Sequence, residues 1–450
     1  MDLMQIYNHL PIWGQNLACF YEGSRIKRTR FGKIFWQKLA EYEERDAWTY
    51  EQRCEYRDAQ LRKMVMHCYD TVPYYNRLFK EYKINPKEIC TLCDLKRLPV
   101  LTKNQIKNNI TDFLSNSISK NKTKIHPTGG TTGSGLRFVT NNSEESEQWA
   151  VWWRYRIRNG INMGTLCGVF GGKIIVPIKQ QKPPFWRLNY LCNQVYFSGY
   201  HITPENAPCY AKYIQDKAIK WLHGYPSIIA NLASYLVEKN IIIPMEFVSI
   251  GAENLYPWQS EIIEKAFCVK PIQHYGLTEG VANISEIPGG ELVVDEDFSC
   301  VEFLKTTDGF SKIIGTTLTN YSMPLLRYDT GDLAIISNEV KHNQFGRIVQ
   351  SLNGRCNEFV SLPNGTTVGA AAISLILNDF PEIQSSQIVQ DRIDSIIVKV
   401  IEIEGKRINN EKLLYKLQER FGHKINIKIL KVEKLEKTKN GKQKLVISNI

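Results

Sequence analysis

His126-Pro127-Thr128-Gly129-Gly130-Thr131-Thr132-Gly133-Ser134-Gly135 puts four glycines and three threonines into ten residues, a composition with little to offer a core. Glycine takes positive φ freely, so successive N–H groups can converge on phosphate oxygens. Threonine hydroxyls add donors that reach the same oxygens. The spacing is neither the G-x-x-x-x-G-K-[ST] of a Walker loop nor the G-x-G-x-x-G of a dinucleotide fold. A Gly/Thr cluster by itself is as often a plain surface connection, so the segments that follow must decide what this loop does.

Three apolar approaches to glycine turns come next in order. Pro271-Ile272-Gln273-His274-Tyr275-Gly276-Leu277-Thr278-Glu279-Gly280 places an aromatic ring, a turn, a hydroxyl and a carboxylate together. Pro324-Leu325-Leu326-Arg327-Tyr328-Asp329-Thr330-Gly331-Asp332-Leu333 ends in a Gly-Asp turn, and Gly354-Arg355-Cys356-Asn357-Glu358 follows it. The tail carries Glu436-Lys437-Thr438-Lys439-Asn440-Gly441-Lys442-Gln443-Lys444. Each reads as an ordinary turn or a solvated basic run when taken alone; their order and separation do not.

In that order the chain resembles the acyl-adenylate-forming enzymes, within the phenylacetate–CoA ligase branch. More narrowly, it is similar to the CapK-type proteins associated with capsular polysaccharide synthesis. The resemblance also takes in Leu95-Lys96-Arg97-Leu98-Pro99-Val100-Leu101-Thr102-Lys103, His223-Gly224-Tyr225-Pro226-Ser227 and Gly251-Ala252-Glu253, and so covers nearly the whole chain. It implies activation of a carboxylic acid by ATP as acyl-AMP, with release of pyrophosphate. The acyl group then passes to CoA or to another thiol, amine or hydroxyl.

The resemblance also distributes roles. It places the β- and γ-phosphates in the loop formed by Thr128, Gly130, Thr131, Thr132 and Gly133. Tyr275 and Gly276 would meet adenine, with Gly251, Ala252 and Glu253 lining the base pocket. Thr278 would contact the α-phosphate, and Glu279 would hold Mg²⁺, a hard cation that prefers carboxylate and phosphate oxygens. Asp332 would accept from the ribose hydroxyls near Arg355, and Lys442 would bridge the attacking carboxylate and the α-phosphate. The chain departs from the family pattern at several places. Gly129 stands where a hydroxyl residue is usual, and Ser134-Gly135 where Lys-Pro is common. Glu358 takes the place of a hinge aspartate, and no proline precedes the Thr438–Lys442 segment, so Lys437, Lys439 and Lys444 compete with Lys442.

A chain of 450 residues exceeds what one core usually holds. The resemblance implies an α/β fold: a large N-terminal adenylate-forming domain of mixed sheets and helices, residues 1–353, followed by a small mobile α+β domain, residues 354–450. In the small part, Ile396–Ile401 reads as a β-branched strand. Asn409 or Asn410 caps a helix whose apolar face is Leu413, Leu414, Leu417 and Phe421, and Ile425–Leu430 alternates as a half-buried strand. In the large part, residues 143–158 read as a helix whose rings, Trp149, Trp152, Trp153 and Tyr155, serve core packing before any acyl pocket. Lys173–Pro177 and Phe247–Ile250 read as buried strands delivering chain to loops.

The net charge of +11 suits a site that draws in ATP and an anionic acyl donor. The basic residues are dispersed without a nucleic-acid-binding signature, so no nucleic-acid partner is expected. Between Arg25 and Trp36 basic residues interleave with aromatics. A solvated basic helix packed on the domain is the plainer reading, and a peripheral contact with an anionic membrane the other. Eleven scattered cysteines and a start without a secretory signal point to reduced thiols in the cytoplasm. A scaffold that keeps the fold and binds nucleotide in a polysaccharide assembly complex is the competing function. Glu279, Asp332 and Lys442 together favour the ligase, because a scaffold has no use for a metal carboxylate and a distant lysine.

Overall fold

Short β-branched and aromatic runs ending at glycine turns build the centre of the molecule, as a buried parallel sheet requires. The computed structural model describes residues 3–119, 123–127, 137–253, 255–306, 310–337, 341–353, 359–365, 367–377, 379–403, 405–422, 424–436 and 445–450. Strands β1 (Cys167–Phe170), β2 (Trp186–Asn189), β3 (Gln194–Phe197), β4 (Trp221–Gly224), β5 (Phe247–Ile250), β6 (Ile272–Gly276), β7 (Asn283–Glu286) and β8 (Leu292–Val294) lie in one sheet. Gly346–Val349 and His342–Asn343 extend it to ten strands beyond β8. Strands β3, β1, β4, β5 and β6 are neighbours in that order and run parallel. Their carboxyl ends therefore lie along one edge and release Ser198, Gly171, Tyr225, Gly251 and Leu277 into loops.

Gly224 closes β4 because the β1 backbone at Phe170 passes where a Cβ would stand. The helix Asn142–Arg158 starts at a capping box: the Asn141 side chain accepts from Ser143 and Glu144 N–H at 2.8 and 3.0 Å, and Glu144 returns the bond to Asn141 N–H at 2.7 Å. Trp153 and Tyr155 on this helix are buried, in keeping with a packing role. Arg154, fully buried, meets Asp297 at 2.6 Å and Asp295 at 2.8 Å, and Arg45 meets Asp297 at 2.8 Å. Arg57 and Arg347 both hold Glu296. Asp295-Glu296-Asp297 after β8 thus ties three N-terminal helices to the sheet with matched charges, the condition for burying them.

A four-stranded antiparallel sheet, Ser299–Lys305, Ser311–Thr317, Tyr328–Ile335 and Ser351–Asn353, follows. The last part of the chain has its own core from Val360 to Val446. Its sheet runs Asn426–Lys431, Ser395–Glu402, Ile383–Arg392, Val446–Ser448. The helix Asn410–Phe421 begins where Asn409 Oδ1 accepts Lys412 N–H at 2.9 Å; Leu413, Leu417 and Phe421 are buried.

The expected strand Lys173–Pro177 is not one. After β1 the Gly171-Gly172 pair turns the chain out of the sheet, and the Ile175 carbonyl accepts the Tyr7 hydroxyl at 2.6 Å instead of a ladder partner. Of the Arg25–Trp36 cluster, Phe35 is fully buried while Trp36 is half exposed. A larger apolar face precedes it on the helix Ile12–Arg30, where Trp13, Leu17 and Tyr21 are 72%, 60% and 69% exposed. Among the described residues no helix is long and apolar enough to cross a membrane.

Candidate active site

The glycine-rich loop is strung between two paired strands. Thr123–Pro127 and Arg137–Asn141 run antiparallel, with Pro127 opposite Arg137. Residues 128–136, and with them Thr128, Gly130, Thr131, Thr132 and Gly133, lie outside the described residues, as do Arg355, Glu358 and Lys442. The base of the loop is fixed from several sides. Asn320 Nδ2 donates to the Val139 carbonyl at 3.2 Å. Glu144 Oε1, at the head of the following helix, accepts the backbone N–H groups of Tyr321 and Ser322 at 2.9 Å. Phe138, Val139 and Val281 share one core, and Leu277 packs on it. The strand leaving the glycine loop and the turn after β6 are therefore held against each other.

That turn begins with Tyr275 and Gly276 and carries Thr278 and Glu279. Gln148, from the helix Asn142–Arg158, donates to the Leu277 carbonyl at 2.5 Å. Thr278 is half-buried and Glu279 is 9% exposed. The Tyr275 hydroxyl donates to Asp332 Oδ2 at 3.0 Å. Burial first, and then the Asp332 charge, hold the Tyr275 phenol well above its ordinary pKa, so it stays a donor. Behind Gly276 stand Trp152, His274 and Asn283, where any Cβ would collide. His274 bonds Asn283 Oδ1 at 2.8 Å and stacks on Tyr155. Burial lowers its pKa to about 4, so it supports the wall as a neutral ring.

Gly251, Ala252 and Glu253 leave β5 beside this turn. Ala252 adopts φ of 66°, a conformation costly for a residue with a Cβ, and Gly251 N–H donates to the Gly224 carbonyl at 3.2 Å. Glu253 accepts the Ser227 N–H at 3.3 Å through Oε2, while buried Oε1 has no partner. Burial raises the Glu253 pKa. The Gly369 backbone lies so close to this carboxylate that a Cβ there would overlap it. The C-terminal hairpin Phe359–Ser361 and Thr367–Gly369 thus reaches the same edge of the sheet.

The structure brings Gly251, Ala252, Glu253, Tyr275, Gly276, Thr278, Glu279 and Asp332 to this region from separate parts of the chain. The motifs did not name Arg420, a buried residue of the C-terminal helix that lies at the same edge. Its sequence signal is an arginine on an apolar stripe, seven residues after Leu413 and three after Leu417. Among the described residues no three acidic, histidine or cysteine side chains form a metal cage. A buried carboxylate beside a hydroxyl, Glu279 and Thr278, is a donor set of the kind that would suit a hard cation such as magnesium.

The fold is that of the adenylate-forming enzymes of the acyl-CoA ligase class. With 2-hydroxyisobutyryl-CoA ligase bound to its acyl-AMP and CoA, the TM-score is 0.58 at 17% identity, over 88% of this chain and 90% of that one. With the same ligase in its postadenylation state the score is 0.54 at 16% identity, over 89% and 90%. Residues 360–449 match the family described as the CapK C-terminal domain. Protein CapK of Staphylococcus aureus is 31% identical over the full length of both chains. A phenylacetate–coenzyme A ligase of Thermus thermophilus is 24% identical over 72% of this chain and 75% of that one. The chain belongs to the CapK family.

Proposed function

We propose that this protein activates a carboxylic acid with ATP and Mg²⁺, releases pyrophosphate, and passes the acyl group from acyl-AMP to CoA or another nucleophile. The observation that carries the reading is the meeting of Tyr275, Thr278, Glu279 and Asp332 at the carboxyl edge of parallel strands, where open α/β sheets bind ligands. In the first step a carboxylate oxygen attacks the α-phosphorus and the bond to the β-phosphate oxygen breaks. The glycine loop from Thr128 to Gly133 holds the departing pyrophosphate. Thr278 donates to the α-phosphate, and Glu279 holds the metal, which offsets phosphate charge when bound. Lys442 neutralises charge that develops on the α-phosphate in the transition state. Gly251, Ala252, Glu253, Tyr275 and Gly276 line the base site, and Asp332 with Arg355 addresses the ribose.

In the second step an N–H, O–H or S–H group of the acceptor attacks the acyl carbon. The bond to the phosphate oxygen breaks, AMP leaves with the electron pair, and the acceptor loses its proton. Residues 1–353 and 354–450 act as the two moving bodies, pivoting near Glu358, so that Lys442 and the acceptor occupy the α-phosphate side in turn. The CapK relationship supports a place in capsular or cell-surface polysaccharide synthesis, on the cytoplasmic side. The exposed Trp13, Leu17 and Tyr21, spaced by four residues on one helix and followed by the exposed Arg25, Lys27, Arg28 and Lys33, support a peripheral contact with an anionic membrane there.

ATP–pyrophosphate exchange across a panel of carboxylic acids, with hydroxylamine trapping of acyl-AMP, tests the reading. Exchange that requires both Mg²⁺ and one acid class supports it. Intact ATP binding with neither exchange nor hydroxamate would favour the nucleotide-binding scaffold.

A further inference from the structure

A cavity of about 100 Å³ opens between the carboxyl edge of the sheet and the C-terminal unit. Tyr200 after β3, Tyr225 and Ser227 after β4, and Glu253 after β5 form one side. Gly369 of the hairpin and Arg420 of the helix Asn410–Phe421 close it from the other. Arg420 is 4% exposed. One of its terminal nitrogens donates to the Gly172 carbonyl at 2.6 Å, and the guanidinium lies 4.3 Å from the centre of the Tyr200 ring. Its Nε has no hydrogen-bond partner.

Among the other buried arginines, Arg45, Arg57, Arg154 and Arg327 each have a carboxylate within 2.9 Å. Arg187 is held by amide and carbonyl oxygens, and Arg156 meets a backbone carbonyl. Arg420 meets a backbone carbonyl as well and in addition lines the cavity. No carboxylate among the described residues offsets Arg420, and burial alone lowers its pKa to about 9. A buried cation without a counter-charge is strongly unfavourable, and a planar guanidinium with free donors is the group best shaped for a carboxylate or phosphate. On the opposite wall Glu253 Oε1 is buried without a hydrogen-bond partner and can take a donor from the same ligand, while Ser227 bonds the Glu253 carboxylate.

We propose that this cavity receives the anionic group, a carboxylate or a phosphate, of the acyl acceptor, and that Arg420 binds it. That an acceptor enters here rests on the ligase reading above; that an anion does rests on the cavity alone. The acceptor so defined carries a negative group besides its reacting N–H, O–H or S–H. Because Arg420 belongs to the C-terminal unit and Tyr200 and Glu253 to the large one, the site is complete only when the two are seated together. Anion recognition is thereby coupled to the seating of the two units against each other.

Thermal unfolding and equilibrium binding of the full chain, with inorganic phosphate and with acetate as probes, test this in wild type, Arg420→Met and Arg420→Lys. At least one anion should raise the wild-type unfolding temperature saturably, and the larger response assigns phosphate or carboxylate. Arg420→Met should bind that anion ~10-fold or more weakly, with Arg420→Lys between the two. Without anion, Arg420→Met should unfold at or above the wild-type temperature, since a buried unpaired charge is gone. Three results would overturn the proposal: no response in wild type, an undiminished response in Arg420→Met, as phosphate held in the glycine loop would give, or an anion-free wild type far more stable than both variants. Pyrophosphate exchange on the same samples separates the two readings. Lost exchange with the anion response intact sinks the ligase, and the reverse sinks only this site.

Discussion

The Tyr275 hydroxyl donates to the Asp332 carboxylate at 3.0 Å, joining the end of a central parallel strand to a strand of the second sheet 57 residues later. One carboxylate oxygen is committed to this bond, which fixes the orientation of the other. Asp332→Asn keeps the shape but weakens acceptance from a ribose hydroxyl. The expected result is a rise in KM for ATP of ~10-fold, since hydrogen bonds to charged groups contribute about 1.5–3 kcal/mol. Steady-state kinetics in ATP check this, and an unchanged KM would remove Asp332 from the nucleotide site.

Lys442→Ala should lower the adenylation rate far more than ATP affinity. On the proposed role its charge would act on the transition state, so the loss should fall on kcat and amount to about 2–4 kcal/mol of barrier. Pre-steady-state pyrophosphate release against ATP binding is the measurement. Full activity in the variant would move the role to Lys437, Lys439 or Lys444.

Gly369→Val puts a side chain into the Glu253 carboxylate and should lift the hairpin from the sheet edge. If the seated hairpin belongs to acyl transfer, consumption of pre-formed acyl-AMP should fall ~10-fold or more, because small misplacements of reacting groups are expensive. Pyrophosphate exchange should fall less. Equal losses in a folded variant would mean that both half-reactions use the seated arrangement.

Glu286, on the strand beside Tyr275, gives a pH prediction. Burial raises its pKa to about 7, against about 4.3 in the unfolded chain. The folded state therefore holds the proton more tightly. Its contribution is fully present below about pH 4.3 and is lost as pH rises through about 7. Glu286→Gln should flatten the pH dependence of denaturant unfolding across that window. A wild-type curve that is already flat there would contradict the assigned shift.

Vesicle flotation checks the membrane contact. The chain should float with anionic vesicles at low salt and not with neutral ones, and added salt should release it. Trp13→Ala with Tyr21→Ala should reduce flotation several-fold, since each ring contributes buried apolar area. Equal flotation of the double variant would leave the exposed stripe without that role.

The elements most legible in the sequence were those with a strong local period or a cap. The helix Asn142–Arg158 follows from its apolar spacing, and the helix Asn410–Phe421 from a cap at Asn409 or Asn410, of which the structure uses Asn409. The strands Ser395–Glu402 and Asn426–Lys431 follow from β-branched runs. Lys173–Pro177 shows the limit of such reasoning, since an equally apolar run is turned out of the sheet by the preceding glycines. Trp13, Leu17 and Tyr21 share one helical period, and among the described residues no element covers them, an exposure that the sequence reading did not single out.

The sequence by itself determined the family and the ordered set of polar residues to which the family resemblance gives nucleotide roles, because turn glycines, carboxylates and hydroxyls at fixed places in the chain are read locally. It determined too that an α/β fold carries them. Only the tertiary structure decided which of those residues share space: Tyr275 with Asp332, Glu253 with Gly369, and Arg420 with a cavity walled by Tyr200 and Ser227. These are contacts between segments tens to hundreds of residues apart, set by the order of strands in the sheet and the seating of the C-terminal unit. A charge without a partner is equally invisible in the sequence, since burial and pairing are properties of the packed chain.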